Sequence, residues 1–187
     1  MNINDVLFCY INNNLQNPTL DAIMPYLTHF GGFIWMLIIV IAIILYAHLR
    51  RKKTLRKVAI IALIALLASD LITYVIKSVV QEPRPYMVLD NVRVLVYEDD
   101  LFAFPSGHAT STLAVISVFL MNLDDLVKKH QIIVGILLAV FAIAILFSRV
   151  YCGVHYPFDV LAGALIGISG ALIVNHFKDK ILNFLRI

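Results

Sequence analysis

The chain is 187 residues long, room for one domain, yet 61% of it is hydrophobic, only 14% is charged, and its mean hydropathy is +0.89, which excludes an ordinary soluble fold. A net charge of +3 gives no nucleic-acid footprint. Two cysteines, Cys9 and Cys152, are too few for a disulfide framework and stand in no metal-ligand spacing.

Taken in chain order, the first thirty residues differ from the rest. The start, up to Asn14, has neither a basic opening nor an apolar core, so it is not read as a cleavable signal peptide. Ile3, Val6, Leu7, Tyr10, Ile11 and Leu15 share one helical face with asparagines elsewhere, and Leu20, Ile23, Met24 and Leu27 form a second short stripe. Two amphipathic helices lying in the membrane interface are the preferred reading; a sixth, poorly hydrophobic crossing is the alternative. Five nearly uncharged runs follow, at residues 33–49, 58–76, 106–123, 132–147 and 158–174. Each approaches the roughly 20 residues that cross a bilayer, and the backbone must satisfy itself there, so helices are expected. The fold class expected is all-α, a polytopic transmembrane bundle of five spans preceded by the interfacial helices or by a sixth span. One integral membrane domain over residues 1–187 is expected, with an N-terminal amphipathic segment at 1–31.

The basic residues orient the bundle. Arg50, Arg51, Lys52, Lys53, Arg56 and Lys57, then Lys128 and Lys129, then Lys178, Lys180 and Arg186 all fall on one side of a five-span protein, the expected cytoplasmic side. Lys77, Arg84, Arg93 and Arg149 remain on the other side, beside an acidic loop with Glu82, Asp90, Glu98, Asp99 and Asp100. An anionic ligand is one reason for cations to stay at that outer face.

Three short segments lie at those outer span ends: Lys77 to Arg84-Pro85, Pro105-Ser106-Gly107-His108, and Ser148-Arg149 to His155 and Asp159. Hydrolysis of a phosphate ester or anhydride needs fixed donors for the non-bridging oxygens. Arg84 and Arg149 offer planar forks and Lys77 a point charge. Ser106 and Gly107 stand where a helix begins, a place where backbone N–H groups bind anions and a serine is also an ordinary N-cap. Two histidines remain for chemistry. His155 has Asp159 four residues on, a carboxylate that can fix its tautomer, and so suits attack on phosphorus. His108 has no such carboxylate in its own segment and suits the general acid.

Together the segments read K-x(6)-R-P, P-S-G-H and S-R-x(5)-H-x(3)-D, and they resemble the tripartite signature of the type 2 phosphatidic acid phosphatase superfamily at every position, spacing and order. The match covers residues 57–175. In size and layout the chain resembles the small undecaprenyl-diphosphatase-like members, and the stretch from Asn17 to Gly31 resembles their N-terminal region. The resemblance implies the helical core shared by these acid phosphatases and the vanadium haloperoxidases. It also implies roles: phosphate binding by Lys77, Arg84, Ser106, Gly107 and Arg149, a phosphohistidine on His155, protonation of the leaving group by His108, and support of His155 by Asp159. No metal or other cofactor is expected. The substrate expected is a polyprenyl diphosphate in a cell membrane, with the site on the extracytoplasmic face; a glycerolipid phosphatase or a lipid phosphotransferase is the alternative.

Other polar residues have plainer readings. His29, His48, His130 and His176 are expected to be solvated or interfacial. Asp70 lies within a span, where a structural hydrogen bond is preferred to a catalytic part. Gly163, Gly167 and Gly170 are expected to permit close helix packing.

Overall fold

A computed structural model describes residues 2–187, so the N-terminal segment is followed from Asn2. The chain folds as α1 (Ile3–Cys9), a π-helical turn (Tyr10–Asn14), α2 (Pro18–His29), α3 (Phe33–Leu49), α4 (Lys53–Val80), α5 (Pro85–Val88), α6 (Gly107–Met121), α7 (Leu123–Leu126), α8 (Gln131–Tyr151), α9 (Pro157–His176) and α10 (Lys178–Phe184). Among the described residues there is no strand, only an isolated bridge between Pro83 and Phe102. The all-α membrane bundle expected from the sequence is the fold observed.

Every expected span coincides with a helix, but the helices are not equal. α4, α8 and α9, of 28, 21 and 20 residues, are long and apolar enough to cross a membrane. α2 and α3 meet that test as a pair bent by 63°. α6 has 15 residues, which is about 22 Å of helix against a hydrocarbon core of about 30 Å. It starts at Gly107, after the non-helical residues 102–106, and it is surrounded by α3, α4, α8 and α9.

The bundle turns many apolar side chains outward. Ile34, Ile38, Leu67, Ile136, Val140 and Leu165 are exposed, as lipid-facing residues are in a membrane protein. The core between helices holds Met36, Val40, Ile61, Leu66, Val115 and Val118. α6 and α9 approach so closely that a Cβ on Gly163 would collide with the Ser106 carbonyl, and one on Gly167 with that of Thr110. Small residues allow this contact. It aligns the start of α6 with the start of α9, where the Ser106 amide donates to the Asp159 carbonyl at 3.0 Å.

The N-terminal stripe is present but its polar side differs from expectation. Ile3, Val6, Leu7, Tyr10 and Leu15 point outward, whereas Asn12 is fully buried. Its amide donates to the carbonyls of Arg93 and Tyr151, both at 2.9 Å, so this asparagine satisfies backbone groups inside the protein instead of facing water. His29, His48, His130 and His176 are exposed, as expected. Asp70 accepts the Ser111 hydroxyl at 2.8 Å, the structural bond preferred above.

Candidate active site

The three segments meet at one end of the bundle. Lys77 leaves the last turn of α4, Arg84 precedes α5, Ser106 to His108 open α6, Arg149 closes α8, His155 lies in the turn before α9, and Asp159 is in the first turn of α9. The α8–α9 turn depends on Gly153, whose φ of +84° and contact with the Arg93 carbonyl leave no room for a side chain. Pro157 starts α9, and Asp159 Oδ2 accepts the Tyr156 amide at 2.8 Å, which ties the carboxylate to the helix start.

Arg84 and Arg149 are buried, with 1% and 0% relative exposure. A guanidinium in that position needs partners on several sides. Arg84 Nε donates to the Asp100 carbonyl at 2.6 Å and Nη1 to the Val154 carbonyl at 2.9 Å. Arg149 Nη1 donates to Thr28 Oγ1 at 2.6 Å and Nη2 pairs with Glu98, while Nε has no partner. Lys77 Nζ donates to Asp100 Oδ2 at 2.5 Å and to the Phe102 carbonyl at 2.9 Å. Burial pushes the Asp100 carboxyl up, but the hydrogen bonds from Lys77 and the Phe102 amide outweigh that and leave it below its ordinary range.

Arginine has no acceptor, and this fixes the tautomer of His155. Arg84 Nη1 lies 3.3 Å from His155 Nε2, so Nε2 accepts from the guanidinium and Nδ1 carries the proton. Nδ1 is 3.5 Å from Asp159 Oδ2, close to the carboxylate but without a formed hydrogen bond. The expected pairing is thus present in register and loose in geometry. Burial, then the charges of Arg149, Arg84 and Lys77 and the nearby His108, holds the His155 imidazole well below its ordinary pKa. A neutral imidazole set beside these cations can attack an anionic phosphorus centre once the Arg84 hydrogen on Nε2 gives way to phosphate.

Ser106 takes the N-cap position, but its hydroxyl makes no capping bond. Oγ is buried and unpartnered, so the donor is left for something else. The α2–α3 corner closes over His108, since a Cβ on Gly32 would stand 3.0 Å from its Nε2. Sequence reasoning missed Thr28 and Gly32, and it placed Glu98 and Asp100 in an acidic outer loop suited to a lid without assigning them partners. The acidic run was visible, but nothing in the chain says which carboxylate meets which cation. Among the described residues, no group of three or more His, Cys, Asp and Glu side chains gathers as a metal-ligand set.

Comparison with known proteins gives the family. The family model described as "PAP2 superfamily" matches residues 58–182. The chain is 31% identical to phosphatidylglycerophosphatase B of Bacillus subtilis, over 91% of this chain and 81% of that one. It is 32% identical to the undecaprenyl-diphosphatase of Sulfolobus acidocaldarius, over 86% of this chain and 71% of that one. The crystal structure of a transmembrane PAP2-type phosphatidylglycerolphosphate phosphatase from Bacillus subtilis superposes with a TM-score of 0.80 at 26% identity, covering 95% of this chain and 85% of that one. With the signature residues gathered at one end of a helical membrane bundle, the chain belongs to the PAP2 superfamily and is a multi-pass membrane lipid phosphatase.

Proposed function

We propose that the protein hydrolyses the terminal phosphate of a polyprenyl diphosphate, of undecaprenyl type, at the extracytoplasmic face through a phosphohistidine. The observation that carries the chemistry is the position of His155, its Nε2 3.3 Å from the buried Arg84 guanidinium, where burial and the cations lower its pKa. Lys77, Arg84 and Arg149 hold the non-bridging oxygens, joined by the free Ser106 hydroxyl and the backbone at Gly107. Nε2 attacks phosphorus as the bond to the leaving oxygen breaks. His108, which takes up a proton once the phosphoryl charge has entered the site, gives it to that oxygen, and the polyprenyl monophosphate departs. Asp159 stabilises the Nδ1 proton as positive charge develops on His155. Water then cleaves the P–N bond, with His108 as base, and inorganic phosphate leaves. The cations already neutralise the phosphoryl charge, so the scheme needs no metal.

The lipid reading is supported by exposed Met87, Val88, Tyr97 and Leu101, which lie on the segments carrying Arg84 and Asp100 and suit contact with an apolar tail. The undecaprenyl-diphosphatase relative favours the diphosphate. The phosphatidylglycerophosphatase relative favours a second reading, hydrolysis of phosphatidylglycerol phosphate. Rates in detergent on polyprenyl diphosphate, phosphatidylglycerol phosphate and phosphatidate, with EDTA present, separate the two. The first lipid is expected to have the largest kcat/KM. A larger value for either glycerolipid overturns the substrate, and loss of all turnover in EDTA overturns the metal-free scheme. Trapped label on a histidine, acid-labile and absent from His155→Ala, is expected for the intermediate.

A further inference from the structure

The cations at the site are not waiting free. Asp100 Oδ2 lies 2.5 Å from Lys77 Nζ and 3.6 Å from Arg84 Nη2, and Glu98 pairs with Arg149. Two carboxylates therefore occupy all three cations proposed to hold phosphate.

The loop that brings them is fixed at its two ends and loosely held between. At one end Arg93 pairs with Asp21 at 2.6 Å, and the Leu95 amide donates to the Cys152 carbonyl at 3.1 Å. At the other end the Ala103 amide donates to the Glu82 carbonyl at 2.7 Å, next to the bridge between Pro83 and Phe102. Val96 is buried among α2 and α8 residues. From residue 97 to 101, among the described residues, each hydrogen bond and ion pair to the rest of the protein ends on Lys77, Arg84 or Arg149, apart from the Phe102 amide that donates to Asp100 Oδ1 at 2.8 Å. Tyr97 and Leu101 in that stretch are exposed, at 86% and 57%, so they add little packing.

We propose that residues 97–101 form a lid that occupies its own active site, with Glu98 and Asp100 standing in for phosphoryl oxygens until substrate phosphate displaces them. The proposal rests on the reading of Lys77, Arg84 and Arg149 as the phosphate cations. A carboxylate is singly charged and a phosphate at neutral pH carries up to two charges, so the substrate is the stronger competitor for a buried guanidinium. With the lid in place the arginines are never left buried and unpaired, which would be costly. The lid also sets a threshold: an anion must outcompete two carboxylates before it binds.

The test is competitive inhibition by inorganic phosphate in the detergent-solubilised full chain. Glu98→Gln with Asp100→Asn removes the competing charges and keeps the side-chain size. Its inhibition constant is expected to fall at least about tenfold, equivalent to about 1.4 kcal/mol of lost competition. An unchanged or raised constant overturns the lid. Arg149→Ala tests the cations separately. If it leaves phosphate inhibition unchanged, the phosphate reading itself fails; if it weakens inhibition while the carboxylate variant shows no tightening, only the lid fails. A second readout uses the unaltered protein. Cleavage by a glutamate-specific protease after Glu98 is expected to accelerate in saturating inorganic phosphate, and equal or slower cleavage overturns the lid.

Discussion

Imidazole attacks phosphorus only when neutral, so under the proposed scheme the charge state of His155 sets the acid side of the pH profile. Its pKa is lowered in the folded protein, first by burial and then by Arg149, Arg84, Lys77 and His108. The neutral form therefore persists to pH values at which an exposed histidine, with a pKa of about 6.5, would be protonated. The sign is clear: the acid limb of kcat/KM belongs below about pH 6.5 in the free enzyme. Arg149→Ala removes the largest charge contribution and should move that limb upward in the residual activity. A wild-type limb above pH 6.5, or one unmoved in Arg149→Ala, contradicts the assignment. Glu98, Asp100 and Asp159 also face this centre, so the limb should be read in wild type and in the Glu98 and Asp100 variants alike. At this scale the signature residues were legible because motif spacing survives folding. Thr28, which accepts from Arg149 across 121 positions of chain, was not, because a lone threonine carries no periodicity or motif.

Helices were legible wherever an apolar run is long, and α3 spans Phe33–Leu49 as its sequence pattern requires. The short α6 was also found, yet its length was overestimated, because residues at its ends serve the site and a turn instead of the span. What sequence did not show is how the elements grip each other. The irregular stretch between α5 and α6 is organised by ion pairs to distant helices, and such pairs leave no local pattern. The α6–α9 contact is different, since its glycines at 163 and 167 could be read as packing residues and do pack. Gly167→Leu should test this element. Its side chain would meet the Thr110 carbonyl and the Ala114 amide, backbone atoms that cannot swing aside. Overpacking of this kind costs about 1–3 kcal/mol, so a thermal midpoint several degrees lower is expected in detergent. Because α6 carries Ser106 and His108 and α9 carries Asp159, kcat should fall with it. Full activity and an unchanged midpoint would mean that this contact does not position the site.

For the whole molecule, the distribution of charge ties the site to one side of the membrane. The cluster from Arg50 to Lys57 spans the α3–α4 turn and the start of α4, Lys128 and Lys129 lie between α6 and α8, and the C-terminal cations follow α9. The signature residues gather at the opposite helix ends, together with the acidic loop. Lys and Arg retained on the cytoplasmic side orient polytopic proteins, and the proposed placement of the site outside rests on that rule. Cysteine accessibility in intact cells is the direct check. Cys152 is buried and burial pushes its thiol up to about 11, so it should stay unreactive, and a Cys9→Ala background removes the partly exposed second thiol. In that background a cysteine at Tyr97, on the exposed tip of the loop, should react with a membrane-impermeant maleimide from outside. One at Lys128 should react only after the cells are opened. The reverse pattern would place the site in the cytoplasm. The substrate would then have to be a lipid phosphate presented to the inner leaflet, and the cationic clusters would need a different explanation from membrane orientation.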